Sequence, residues 1–224
     1  MAQSVATKLV NRAAREHLRP LGLHQKGRSR LWLDDHGWWI VAVDFESPAY
    51  EEGTRLLVFA DFMWSGRDYL AHTVGGRLRE RGRLLNQSGR ELRCYLDGDE
   101  DAFASCVSGL AERAAAEVTA WREAYPSLTA WAPHLAGAAR GGGLWDQYHA
   151  AFAAALTGDA DGARKWFGRM LGRRPDPDRP DGWAARAVRD AESLHDLLDD
   201  PDGFRAEAER RAGVMRRHLG LPGS

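Results

Sequence analysis

The chain has 224 residues, with 31 Lys and Arg against 32 Asp and Glu, 44% hydrophobic residues and a formal net charge of -1. This composition excludes disordered, collagen-like and disulfide-scaffold proteins and is typical of a globular protein with one or two domains. No window approaches the roughly 20 apolar residues of a membrane-spanning helix, and the first residues lack the apolar segment of a secretory signal. The sequence therefore predicts a cytoplasmic protein that does not engage a membrane.

The first predicted element is an amphipathic helix over residues 4–19, which Pro20 and Gly22 end. Its apolar and small side chains share one face. Basic side chains form a stripe on the same helix: Lys8, Arg12, Arg15 and Arg19. This stripe is a candidate anion-binding surface, and a second basic segment containing Arg77 and Arg79 is another.

Four runs of strand character come next, each bounded by turn-forming residues. They are residues 30–34, 38–46, 54–64 and 92–96. A long helix over residues 99–125 follows, opened by acidic residues that suit its N-terminal dipole and closed by Pro126. The order α-β-β-β-β-α predicts an α+β fold with an antiparallel sheet of about four strands, in a domain spanning residues 1–133.

Beyond a predicted linker at residues 134–143 the sequence is all-helical, and residues 144–221 form a predicted C-terminal appendage. The segment near residues 145–175 resembles a single tetratricopeptide-like helical hairpin. The residues at the offsets of that motif are Ala151, Gly158, Ala163, Phe167 and Pro175. Because stable arrays need about three copies, a lone copy is expected to pack against its own neighbours.

The second and third strands are apolar on both faces, so both faces of the sheet must be covered. Three carboxylates interrupt this pattern, and two tryptophans lie near them. The candidate binding residues are Trp32, Trp38, Asp44, Glu46 and Asp61. One interpretation is an acidic, aromatic-walled groove able to support acid/base chemistry. The other, which we favour, is that the carboxylates face water or pair with Arg55 or the helix stripe, since structural ion pairs outnumber active sites.

The sequence lacks the motifs of metalloproteases, serine hydrolases and nucleotide-binding loops, and its histidines are scattered. It therefore predicts no metal site and no cofactor. Cys94 and Cys106 have neither CxxC spacing nor a neighbouring His in the sequence. We expect them to be reduced, buried thiols.

Charge alternates strongly along the first part of the chain. Residues 1–33 carry seven bases and one acid, whereas residues 34–64 carry one base and seven acids. Acidic strands beside the basic helix would neutralise a phosphate-binding strip, and no nucleic-acid-binding motif accompanies it. Nucleic-acid binding is therefore not favoured.

Four segments resemble the bacterial family known as domain of unknown function 4304, over about residues 5–125. They are Leu18-Arg-Pro-Leu-Gly-Leu-His-Gln-Lys-Gly, Val41-Ala-Val-Asp-Phe-Glu-Ser, Phe59-Ala-Asp-Phe and Gly76-Arg-Leu-Arg-Glu-Arg-Gly-Arg-Leu. The resemblance implies an α+β fold and a bacterial cytoplasmic setting. It names no reaction, because that family has no established activity.

The leading hypothesis is a non-enzymatic interaction module that binds a protein partner or a second copy of itself through aromatic anchors. One alternative is an enzyme acting on a small or phosphorylated substrate through the sheet carboxylates, with Arg77 or Arg79 as an anion clamp. The other alternative is nucleic-acid binding through the basic N-terminal helix.

Overall fold

The computed structural model describes residues 3–65, 67, 69–71, 73–75, 92–173 and 182–221. The chain divides into two compact units: Met1–Glu123 with Gly213–Ser224, and Ala124–Ala212. The first unit contains an antiparallel sheet and helices, and the second is helical. The predicted α+β fold with a helical C-terminal part is confirmed.

The described strands are β1 His24–Gln25, β2 Leu31–Asp35, β3 Trp39–Glu46, β4 Gly53–Phe62, β5 Val74–Gly75 and β6 Arg93–Tyr95. The described helices are α1 Val5–Leu18, α2 Glu100–Ala124, α3 Leu128–Ala139, α4 Leu144–Leu156, α5 Ala160–Leu171, α6 Trp183–Asp196 and α7 Pro201–Leu219. The four predicted strands correspond to β2, β3, β4 and β6. The two-residue strands β1 and β5 are too short to show alternation in a sequence.

All strand pairs in the sheet are antiparallel, in the order β1-β2-β3-β4-β5, and β6 also pairs with β4. The β2–β3 hairpin turns at Gly37, whose φ of 85° lies in the left-handed region that glycine tolerates. Asp35 Oδ1 accepts a hydrogen bond of 2.9 Å from the Gly37 amide. At the start of β4, a side chain at Gly53 would overlap the carbonyl oxygen of Cys94 on β6. The pairing of β4 with β6 therefore requires glycine there.

Helices α1 and α2 provide apolar cover within the first unit. Ala6, Val10 and Ala14 of α1 are fully buried, as the amphipathic pattern predicts. Arg122 near the end of α2 binds Asp34 of β2 through two hydrogen bonds, of 2.9 and 2.7 Å. It also donates to the carbonyl oxygen of Leu21. This arginine therefore ties α2 to the β1–β2 side of the sheet.

The expectation of reduced, buried thiols is wrong. Cys94 of β6 and Cys106 of α2 form a disulfide with Cα atoms 6.0 Å apart, and Cys106 is exposed. The sequence separation of 12 gave no indication of this pairing. It arises because β6 turns at Gly98 directly into α2, which brings the second turn of the helix back beside the strand. Disulfides persist mainly in oxidising compartments, so this one does not support the predicted cytoplasmic setting. That setting stays a prediction.

The second unit contains α3 to α6 and the first part of α7. Residues 134–139 of the expected linker are helical instead, because α3 continues through Pro133. Its buried residues recur at helical spacing: Leu128, Trp131, Leu135 and Ala139. Helices α4 and α5 pack against each other as a hairpin that turns at Gly158, where φ is 86°. Its relation to tetratricopeptide repeats stays a prediction.

A polar cluster joins three helices of the second unit. Arg211 of α7 donates to both carboxylate oxygens of Asp190 on α6, at 2.6 and 2.5 Å, and to Glu207 one turn earlier at 2.6 Å. Tyr148 of α4 donates to Asp190 at 2.6 Å. Because these side chains satisfy one another, the cluster is a structural tie between helices.

Candidate functional site

Asp61 is fully buried on β4 and binds a loop of its own unit. Its carboxylate accepts hydrogen bonds from the amides of Phe62 at 2.9 Å and Ala71 at 2.7 Å, and from the Thr73 hydroxyl at 2.6 Å. Burial raises its pKa to about 6, although these hydrogen bonds and the charge of Arg67 act in the opposite direction. This fully buried carboxylate anchors Ala71 and Thr73 and is not exposed for binding a ligand among the described residues.

Asp44 and Glu46 lie on the same face of β3, two residues apart. They are near the opposite end of the β3–β4 pairing from Asp61. Burial, and then the charge of Glu46, raise the pKa of Asp44 to about 6, while Arg30 and Arg55 lower it. Glu46 forms a salt bridge with Arg55, the residue opposite it on β4. That pairing is the alternative which the sequence analysis favoured for this carboxylate.

The three carboxylates do not converge. Asp61 lies opposite Ile40, whereas Asp44 lies opposite Leu57, so four ladder positions separate the two acids. At about 3.3 Å per residue this separation is roughly 13 Å along the strands. The structure therefore does not unite these groups in the acid/base site that the enzyme hypothesis requires.

The two tryptophans of the expected aromatic groove do not provide an exposed wall. Trp32 is only 2% exposed within the sheet core. Trp38 is half-buried, and its ring lies 6.4 Å from that of Trp64. The expected protein partner or second copy stays a prediction, without support from an exposed aromatic surface at these positions.

An open groove of ≈ 440 Å³ lies instead beside α1, against the turn that joins β1 to β2. We call it the basic groove. Its lining consists of Gln3, Lys8, Asn11, Arg15, Gln25, Gly27 and Arg28. It therefore combines three cationic side chains and three carboxamides with one glycine.

Helix periodicity and a tight turn bring these residues together. Lys8, Asn11 and Arg15 lie at spacings of three and four, so they share one side of α1. The turn holds Arg28 next to Gly27, whose φ of 56° is left-handed. Gln3 donates to the carbonyl oxygen of Arg28 at 3.1 Å, which connects the chain before α1 to the turn.

Further hydrogen bonds hold the two sides of the basic groove. Gln25 donates to the Ser29 carbonyl oxygen at 2.7 Å across the turn. The Arg15 Nε donates to the main-chain carbonyl oxygen of Asn11 at 2.9 Å, which holds the arginine stem along the helix. Both sides of the groove are therefore held by hydrogen bonds within the protein.

Asn11 is the buried polar residue of this lining, only 2% exposed. Its Oδ1 is inaccessible, and its side chain forms no hydrogen bond with any described residue. A buried polar group without a partner costs about 1–3 kcal/mol, so native proteins seldom contain one without a reason.

The electrostatics of the basic groove favour anions. Among the described residues, Lys8, Arg15 and Arg28 form no salt bridge, and the lining holds no carboxylate. None of the lining residues that the structure describes is a His or Cys, so they offer no imidazole base and no thiol nucleophile. The arrangement is suited to binding an anionic group, not to acid/base chemistry.

A second open groove, of ≈ 550 Å³, begins at the first turn of the same helix with Ser4 and Thr7, and it also contains Glu51 and Glu52. Its cation, Arg30, is held by the Thr7 hydroxyl at 2.8 Å and the Gly53 carbonyl oxygen at 2.8 Å. The first turn of α1 thus has a basic groove next to an acidic one.

The predicted anion-binding residues are divided by the structure. Lys8 and Arg15 line the basic groove, whereas Arg12 of α1 and Arg19, directly after the end of α1, are exposed and are not among its lining residues. Arg77 and Arg79 lie outside the described residues. Sequence reasoning missed Asn11, because nothing in the helical pattern distinguishes a buried amide from an exposed one.

Across the described part of the chain, no cluster of three or more His, Cys, Asp or Glu side chains forms a candidate metal site. Among the same residues, no helix combines the length and apolar character required to cross a membrane.

Comparison with models of protein families, with curated proteins and with solved structures finds no match to this chain. The resemblance to the domain of unknown function 4304 family therefore stays a prediction.

Proposed function

We propose that this protein is a non-enzymatic binding module that holds an anionic group of its ligand in the basic groove. The observation that carries the proposal is the lining itself: Lys8, Arg15 and Arg28 share one groove without a carboxylate among the lining residues. Such an arrangement attracts anions and has no charged partner of its own to release first.

The alternative of an enzyme acting through the sheet carboxylates receives less support. Asp61 anchors a loop, Glu46 is paired with Arg55, and Asp44 is about 13 Å from Asp61 along the ladder. Nucleic-acid binding through the whole helix stripe also receives less support, because Arg12 and Arg19 are not part of the groove.

Isothermal titration of the full chain at low ionic strength tests this function. The probes are sodium sulfate, a single-stranded oligodeoxynucleotide of about 12 nucleotides and a poly-glutamate peptide of similar length. We expect at least one probe to bind, with an affinity about tenfold lower in Arg15→Gln and in Arg28→Gln. Binding should also weaken with added salt, because the interacting charges are exposed.

Arg12→Gln is the matched control, since it removes the same charge from the exposed side of the same helix outside the groove. Its affinity should stay within about twofold of wild type. Equal weakening by Arg12→Gln and Arg15→Gln would indicate diffuse attraction to the helix and would contradict the proposal, as would the absence of binding by every probe.

A further inference from the structure

Asn11 distinguishes the basic groove from an ordinary patch of surface arginines. It lines the groove, yet only 2% of its surface is exposed. Its carboxamide has no hydrogen-bond partner among the described residues. Its Oδ1 is inaccessible, so the atom that a ligand can reach is the amide Nδ2, which is a donor and requires an acceptor such as an anionic oxygen. The lysine and arginine side chains of the groove would not by themselves indicate a ligand that accepts a hydrogen bond.

The donors around the groove match a compact, multiply charged anion. Arginine can bind phosphate oxygens in a bidentate manner, lysine adds a point charge, and a carboxamide adds N–H donors. A phosphomonoester carries close to two negative charges at neutral pH and has three terminal acceptor oxygens. A carboxylate offers one charge and two oxygens, which leaves more of this donor set unused.

The size and surroundings of the groove favour a small molecule over a continuous polyanion. Its ≈ 440 Å³ lies within the range of about 300–1,000 Å³ that small-molecule sites occupy. On the other side of the first turn of α1, Glu51 and Glu52 line the acidic groove. A polyphosphate backbone that continued in that direction would meet these carboxylates, whereas a terminal phosphate would not.

We propose that the basic groove is a site for a small phosphomonoester, whose phosphate contacts Arg15 and Arg28 and takes a hydrogen bond from the Asn11 carboxamide. This inference rests on the proposed anion-binding function and specifies its ligand class. The phosphate group is bound and not transferred, because the described lining residues include no carboxylate, His or Cys.

The test compares methyl phosphate, a dianionic monoester, with dimethyl phosphate, a monoanionic diester, by isothermal titration against the full chain. The oligodeoxynucleotide of the previous experiment is the polyanion probe. We expect methyl phosphate to bind at least about tenfold more tightly than dimethyl phosphate. Arg15→Gln and Arg28→Gln should each lower the affinity for methyl phosphate by about tenfold or more, while Arg12→Gln leaves it unchanged.

Asn11→Leu tests the buried amide. Replacing an unpartnered polar group by an apolar one of similar shape should preserve or raise the thermal stability. It should nevertheless lower the affinity for methyl phosphate by about tenfold. A purely structural role for Asn11 predicts the reverse pattern, a loss of stability with unchanged affinity, and that result overturns the proposal. If this variant does not fold, Asn11→Ser, which is smaller and retains a polar group, replaces it with the same expected loss of affinity.

The outcomes separate the two proposals. Oligonucleotide binding that depends on Arg15, together with no binding of methyl phosphate, overturns the phosphomonoester site but leaves the anion-binding function in place. Equal affinities for methyl and dimethyl phosphate also overturn the phosphomonoester site. No binding of any anion overturns both.

Discussion

Replacing Asp44 by Asn should stabilise the protein at neutral pH. The pKa of Asp44 rises from its ordinary value of 3.8 to about 6, through burial and the nearby charge of Glu46. One pKa unit corresponds to about 1.4 kcal/mol, so the ionised carboxylate lowers stability by up to about 3 kcal/mol above pH 6. Below pH 3.8 the group is protonated in both the folded and unfolded states, and this penalty disappears. Stability due to Asp44 therefore falls as the pH rises from about 4 to about 6.

Asp61→Asn is the informative comparison, because burial also raises the pKa of Asp61 to about 6. Asp61 accepts three hydrogen bonds, from Phe62, Ala71 and Thr73. An amide has one acceptor oxygen in place of two and would turn its NH₂ group towards another donor. We expect this loss, about 1–3 kcal/mol, to make Asp61→Asn less stable than Asp44→Asn at every pH.

Urea unfolding followed by tryptophan fluorescence, at about pH 4.5 and about pH 7.5, measures both variants against wild type. The difference between variant and wild type is the quantity of interest, because the titration of unchanged groups cancels in it. Asp44→Asn should gain more stability at the higher pH than at the lower one. A gain that is independent of pH, or a loss at about pH 7.5, would refute the assignment of an ionisation penalty to Asp44.

Three further predictions concern structural ties. Cys106→Ser should lower the free energy of unfolding by about 3 kcal/mol, because it opens a short disulfide loop; a reducing agent should destabilise wild type and leave the variant unchanged. Gly53→Ala should weaken the pairing of β4 with β6, since the added methyl group overlaps a carbonyl oxygen, and amide hydrogen exchange at Leu96, which donates to the Glu52 carbonyl oxygen at 2.8 Å, should accelerate. Arg211→Lys should cost about 2 kcal/mol, because lysine cannot form the two parallel hydrogen bonds to Asp190; an unchanged melting temperature would contradict this role.

The longer elements were predictable because their residue patterns are local. The alternation in residues 38–46 and 54–64 matches β3 and β4 to within a few residues, and the spacing of basic and small residues predicted α1. The expected linker was wrong at residues 134–139, which are helical, for a related reason. A proline at position 133 is typical of a helix end, but the burial of Trp131 and Leu135 on one helical stripe keeps α3 intact. A proline opposes a helix by a few kcal/mol, which packing can offset.

The groove was only partly predictable, because its two sides are far apart in sequence. The helix stripe predicted Lys8 and Arg15, but the position of Arg28 depends on a turn held by Gln3 and Gln25. The disulfide was missed for a different reason: the turn at Gly98, not the spacing of the cysteines, brings α2 back beside β6.

The charge pattern explains why the basic groove remains available. The acidic block at residues 34–64 was expected to neutralise the basic helix. The described salt bridges give three of its seven acids an arginine partner outside the basic groove: Asp34 with Arg122, Asp35 with Arg216, and Glu46 with Arg55. Because α2, α7 and β4 supply these cations, these three acids do not pair with the cations of the basic groove. Their charge is therefore free to act on a ligand, so charge removal at Arg15 or Arg28 should alter binding much more than stability.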